Sequence, residues 1–114
     1  MIAFLLEDDK WRVKAFESRF KEIGWDYHTT DNFETAKKYL NENKYDIIFL
    51  DHDLGGWEGI LVAKHVADVG VSCPVVIHSL NPVGARNMHN ILPGSVISPR
   101  CWERYIFHNS FGEE

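Results

Sequence analysis

Apolar residues in this chain come in short unbroken runs and in helical stripes, and the two alternate along its length. Ile2 to Leu6 is apolar throughout and stops at Glu7-Asp8-Asp9. Ile47 to Leu50 is a second such run and stops at Asp51-His52-Asp53, after which Gly55-Gly56 breaks any regular structure. Pro74 to Ile77 is a third and leads into His78-Ser79-Leu80-Asn81-Pro82. Runs this short, with no polar face, predict strands buried on both sides, as in a parallel sheet. Trp25 to Thr30 and Ser95 to Ser98 complete the strands. Between them, Val13, Phe16, Phe20 and Ile23 recur at helical spacing and predict a helix from about Lys10 to Ile23, capped by Asp9 and ended by Gly24. Asp31 with Glu34 three residues on has the form of a capping box. It opens a helix with Phe33, Ala36 and Leu40 inward, closing near Asn43. Ile60 to Val69 presents Val62, Val66 and Val69 on one face and ends at Gly70. A shorter helix, Val83 to Leu92, turns Ala85, Met88 and Leu92 inward, with Asn81 reading as its cap. Pro99 suits the first turn of a last helix on which Trp102, Tyr105 and Ile106 pack back.

Strand–helix alternation repeated five times predicts an α/β fold: a flavodoxin-like, doubly wound, five-stranded parallel sheet of order 2-1-3-4-5 in a three-layer α/β/α sandwich. The length suits one domain, residues 1–114. In that order the first and third strands are neighbours, both end in acids, and the ligand-binding crevice lies between them. Glu7, Asp8, Asp51 and Asp53 are therefore expected in one crevice, with Ser79 beside it.

Composition narrows the possibilities. At 45% hydrophobic the chain is not a disordered one. A net charge of −5 argues against bulk binding to duplex DNA or to an anionic membrane surface. No apolar run approaches the roughly 20 residues of a membrane span, and MIAFLLEDDK has no basic leader, so no signal peptide is expected. The two cysteines, Cys73 and Cys101, lack metal-ligand spacing. Free thiols in a reducing cytoplasm are the expectation.

Packed carboxylates repel and raise one another's pKa, and a divalent cation relieves that repulsion. Mg²⁺ takes oxygen ligands, and one or two carboxylates plus a phosphate oxygen suffice. Asp8 and Asp51 are the expected direct ligands, with Glu7 acting through water. Strand-end acids also cap helices, but acids from two separate strands are hard to explain as caps alone. With a metal present, Asp51 is placed to attack phosphorus and form an acyl phosphate, and Ser79 to donate a hydrogen bond to a phosphoryl oxygen. Its alternative is a local strand-end hydroxyl. His52 and His78 support a different chemistry, the acid–base processing of a phosphodiester. Alternation along a strand points His52 away from Asp51 and His78 away from Ser79 unless the loop bends.

With these residues in order, the chain resembles a response-regulator receiver domain over nearly its whole length. Glu7-Asp8 match the acidic pair after the first strand, and Asp51 matches the phosphoacceptor aspartate. Asp51 to Gly59 aligns without a gap to that family's D-x-x-x-P-x-x-D-G run, with Gly55 for the proline and Glu58 for the second aspartate. Ser79 matches the Ser/Thr ending the fourth strand. The resemblance implies a third metal ligand from the backbone carbonyl of Asp53. It implies partners such as a phosphodonor protein, a phosphorylated small molecule or a nucleotide. As read, the chain stops after the fifth helix, so it is expected to act by binding a protein partner. One position departs from the pattern: Ser98-Pro99 stands where receivers carry Lys-Pro. Arg86 and Arg100 are the basic residues read as substitutes. Asp-His-Asp-Leu-Gly together with His-Ser-Leu-Asn-Pro resembles the divergent group described as cyclic-phosphate-processing receivers. Three functions follow: phosphotransfer on Asp51, a phosphoesterase using His52 and His78, and a protein-binding module without phosphate chemistry.

Overall fold

The computed structural model describes residues 1–52 and 58–101. The elements in chain order are β1 (Ile2–Leu6), α1 (Lys10–Ile23), β2 (Asp26–Thr30), α2 (Phe33–Glu42), β3 (Ile47–Leu50), α3 (Glu58–Val69), β4 (Val75–Ile77), α4 (Pro82–Ile91) and β5 (Val96–Ile97). All strand pairs are parallel, in the order β2-β1-β3-β4-β5. The Gly-Gly turn, Asp53, Trp57 and the last predicted helix beyond Cys101 lie outside the described residues.

Alternation along the central strands builds two cores. Ala3, Leu5, Ile47, Phe49 and Val76 pack with Phe16 and Phe20 of α1 and with Cys101. Phe4, Leu6, Ile48, Leu50, Val75 and Ile77 face the other way. They pack with Ala36 and Leu40 of α2, Val62, Ala63 and Val66 of α3, and Ala85 and Met88 of α4. Each fully buried Phe, Leu or Ile contributes roughly 1.5–3 kcal/mol. Helices thus cover both faces of the sheet, as the absence of a polar face on β1, β3 and β4 requires.

The helix ends follow local chemistry. Asp9 caps α1 by accepting the Trp11 and Arg12 amides, and Gly24 closes it at φ 75°, a backbone state that suits glycine. The cap of α2 is Asn32, not Asp31: its side chain accepts the Thr35 amide, because the cap must be the residue directly before the first helical one. Glu58 accepts the Phe33 amide at 2.9 Å and so ties α3 to the start of α2. α3 begins two residues earlier than predicted, at Glu58. Val69, in its last turn, is 41% exposed instead of inward.

The register positions the site. Leu6 pairs with Leu50, and Leu50 with Ile77. The ladder runs one step further, with Asp51 N donating to Leu6 O at 3.2 Å and His78 N to Leu50 O at 2.9 Å. Glu7, Asp51 and His78 therefore stand in one row at the carboxyl edge. Each continues the alternation of the α1-facing residues.

Candidate functional site

The row is a closed cluster. Glu7 comes from β1, Asp51 from β3 and His78 from β4, and β3 lies between the other two. Neighbouring strands are about 4.8 Å apart, so Glu7 and His78 must reach across one strand to meet. Their long side chains do so over the shorter Asp51: His78 Nε2 lies 2.8 Å from Glu7 Oε1. Glu7, Asp51 and His78 are all at most 2% exposed. One ligand atom from each lies within 4.8 Å of the others.

Arg12, one turn into α1, closes the cluster from the solvent side. Its Nε donates to Glu7 Oε1 at 3.1 Å and its Nη2 to Glu7 Oε2 at 3.0 Å. The same Nη2 is 3.5 Å from Asp51 Oδ2. Glu7 Oε2 also accepts the backbone amides of Asp8 and Asp9, at 3.1 and 2.9 Å. A guanidinium fork, two amides and an imidazole thus fill the acceptor sites of this one carboxylate.

These contacts set the charges. Burial pushes the Glu7 carboxyl up, but the hydrogen bonds from His78 and Arg12 outweigh it and hold it down at about 2. Burial pushes the His78 imidazole below its ordinary value, against the pull of Glu7. An ionised Glu7 only accepts, so the neutral His78 carries its proton on Nε2 and donates it to Glu7. Burial and the Glu7 charge push the Asp8 carboxyl up. For Arg12, burial acts downward but is outweighed by Glu7 and Asp51, and the guanidinium stays charged.

The sequence-predicted residues divide into those the fold brings together and those it does not. Glu7, Asp51 and His78 meet. Asp8 is exposed at the rim, outside the trio. Ser79 is buried, and its Oγ accepts the Asn81 amide at 3.1 Å, a turn leading into α4. Asn81 caps α4 by accepting the Val83 and Gly84 amides, both at 3.1 Å. His52 lies on the opposite face from His78. Its imidazole rests on Gly84 of α4, where any added Cβ would collide with the ring, whereas His78 packs edge-on to Phe16 of α1 with centroids 4.9 Å apart. The sheet separates the two imidazoles, so they do not flank one reacting group. Asp53 is outside the described residues. Arg86 and Arg100 are both exposed. His28, His65 and His89 are half-buried and engaged locally, with Tyr45 Oη, Asn41 Oδ1 and Ser95 Oγ respectively.

Arg12 was not among the residues the sequence reading singled out, yet a signal for it exists. Helical side chains lean toward the helix N-terminus. A long basic residue in the opening turns of α1 therefore leans over the acids at the end of β1. The divalent ion invoked to relieve carboxylate repulsion is also unnecessary for neutralising Glu7, because the Arg12 guanidinium already does so while the neutral His78 adds a hydrogen bond. The cluster nonetheless offers two carboxylates and one imidazole nitrogen, a donor set compatible with a divalent cation.

A five-stranded parallel sheet of order 2-1-3-4-5 is the flavodoxin-like arrangement that receiver domains use, and here it carries an acid at the end of β1 and another at the end of β3. Solved structures agree. The receiver domain of Francisella response regulator 1452 is 22% identical at a TM-score of 0.70, covering 96% of this chain and 93% of that one. A two-component response regulator from Clostridium difficile is 24% identical at a TM-score of 0.75, covering 96% and 91%. The response regulator TrrA from Thermotoga maritima, solved in complex with Mg²⁺-BeF, is 19% identical at a TM-score of 0.69, covering 96% and 93%. The family model described as the cyclic-phosphate processing receiver domain matches residues 3–93, and the chain belongs to that family. No curated protein sequence matches significantly. Among the described residues, no helix is long and apolar enough to cross a membrane.

Proposed function

We propose that the cluster is a receiver-type phosphate site in which Asp51 takes up a phosphoryl group, with Mg²⁺ as cofactor. The observation that carries this reading is the position of Asp51: a buried carboxylate at the carboxyl end of a central strand, 3.5 Å from a guanidinium. An Asp51 carboxylate oxygen attacks phosphorus of a donor. The new O–P bond forms as the bond from phosphorus to the leaving oxygen breaks, and the leaving group departs with that electron pair. Bound Mg²⁺ supplies charge neutralisation for the phosphoryl oxygens. Asp8, Asp51 and the backbone carbonyl of Asp53 are the residues that would hold it; Glu7, whose oxygens already take five donors, would act through water only on releasing one of them. The donor is a phosphorylated small molecule or a phosphodonor protein, and the setting is the cytoplasm.

Acetyl phosphate with Mg²⁺ is the direct test. Mass spectrometry should show one phosphoryl adduct, labile to hydroxylamine, that Asp51→Asn abolishes. An intact protein that takes up no phosphoryl group from several donors removes the reading. The family description favours a second one, the processing of cyclic phosphate esters. Placed beside Asp51, His78 is the imidazole for that chemistry. Turnover of 2′,3′-cyclic nucleotides that His78→Ala abolishes and His52→Ala spares is its expected result. Neither adduct nor turnover would leave a protein-binding module.

A further inference from the structure

We propose that Arg12 is the phosphoryl-binding cation of this site, and that before modification it competes with a divalent ion for the same acids. The proposal rests on Asp51 being the acceptor and adds the group that receives the phosphoryl oxygens.

Four observations lead to it. First, the guanidinium already spans the two acids, with Nη2 3.0 Å from Glu7 Oε2 and 3.5 Å from Asp51 Oδ2. Second, it is the outermost part of the cluster: the Arg12 side chain is 22% exposed, against 0% for Glu7 and 1% for Asp51. Of these three groups Arg12 is therefore the one solvent reaches most. Third, a planar fork of N–H donors matches phosphate oxygens as well as carboxylates, which a point-charge lysine does less specifically. Fourth, the end of β5 presents Ser98, whose amide is spent on Ile77 O at 2.8 Å.

The contacts also show how the exchange works. Nε stays on Glu7 Oε1 and anchors the side chain. Nη2 is shared between Glu7 and Asp51 and moves with Nε as one rigid planar fork, so its Asp51-facing edge is the part that meets a phosphoryl oxygen. Phosphorylation replaces the single charge of Asp51 by a phosphoryl group of about −1.5 to −2, placed further toward solvent, where the guanidinium lies. The demand for a cation rises, and the nearest one is already in place. In the unmodified protein the same positive charge occupies the face of Asp51 that a divalent ion would use.

The test compares wild type, R12K and R12Q by two readouts. Beryllofluoride in the presence of Mg²⁺, followed by ¹⁹F NMR, reports phosphoryl-like binding. Mg²⁺ alone, followed by the Asp8 and Asp9 amide shifts, reports cation binding, because those amides bond Glu7. In R12Q, beryllofluoride affinity is expected to fall about 10–100-fold, the effect of losing a charged hydrogen-bond pair, while Mg²⁺ binds more tightly. R12K keeps the charge but loses the fork and should fall between, and it carries the comparison if R12Q proves unfolded by circular dichroism. Wild type that takes up neither beryllofluoride nor acetyl phosphate overturns this proposal and the acceptor role of Asp51 together. Wild-type uptake that R12Q leaves unchanged, or Mg²⁺ binding that R12Q weakens, overturns the role of Arg12 alone.

Discussion

Replacing Glu7 by alanine is expected to lower the unfolding free energy by about 3–5 kcal/mol, the size seen when one member of a buried charge network is removed. Glu7 holds five contacts at once. Its loss leaves the buried His78 Nε2–H, the Arg12 fork and the Asp8 and Asp9 amides without their common acceptor. It also opens a void beside Asp51 and His78, each 1% exposed. For a domain of this size the midpoint should fall by roughly 4 °C per kcal/mol. The contrasting replacement is Glu22→Ala. Its partner Arg19 is as close, at 2.8 Å, but Glu22 is 63% exposed, so the change should stay within about 0.5 kcal/mol. Urea unfolding of both variants decides the matter. A Glu7 effect no larger than that of Glu22 would show that the bridge across β3 holds nothing together. A double-mutant cycle of Glu7→Ala with His78→Ala then isolates the pair from its neighbours.

The second large effect is acid sensitivity, and its sign follows from the same contacts. Glu7 titrates at about 2 in the folded chain against an ordinary 4.5. Between those values the unfolded state binds the proton and the folded state does not. The stability from Glu7 is therefore full above about pH 4.5 and is lost as pH falls toward 2, about 3 kcal/mol in all. His78 adds to this with the same sign. Its folded pKa lies below 6.5, so on acidification the unfolded chain takes up the proton first, and stability starts to fall from about pH 6.5. Asp8 opposes both, since its carboxyl is pushed up, but it is exposed at the rim and its share is small. Thermal unfolding from pH 7 to pH 3 should give a midpoint that falls throughout. In Glu7→Gln the fall below about pH 5 should flatten. Superimposable curves for the two proteins would mean that Glu7 titrates as an ordinary surface acid.

Both effects come from groups that the sequence displays separately and the fold joins. The order of elements was legible because each rests on neighbours in the chain. Asp9 caps α1, Asn81 caps α4, and the stripe containing Phe16 and Phe20 buries one face of α1. The one misplaced cap, Asp31 for Asn32, is an error of a single residue between two good capping side chains. The alternation of strands and helices implied a parallel sheet covered on both faces, and the flavodoxin-like order 2-1-3-4-5 made neighbours of the acid-ended β1 and β3.

What the sequence determined by itself was local: where strands and helices run, how they end, and that charged residues collect at one edge of the sheet. The tertiary structure decided which of those residues touch. Ile2–Leu6, Ile47–Leu50 and Val75–Ile77 are apolar at every position, so no polar alternation marks which face a given residue serves. Only the inter-strand register aligns Glu7, Asp51 and His78. Only the packing of α1 on that face lowers Arg12 over the acids, and only the opposite layer takes His52 to Gly84. The Glu7–His78 bond joins residues 71 positions apart. A separation of that kind leaves no periodic trace in the chain, because its geometry is set by the sheet and not by the residues between.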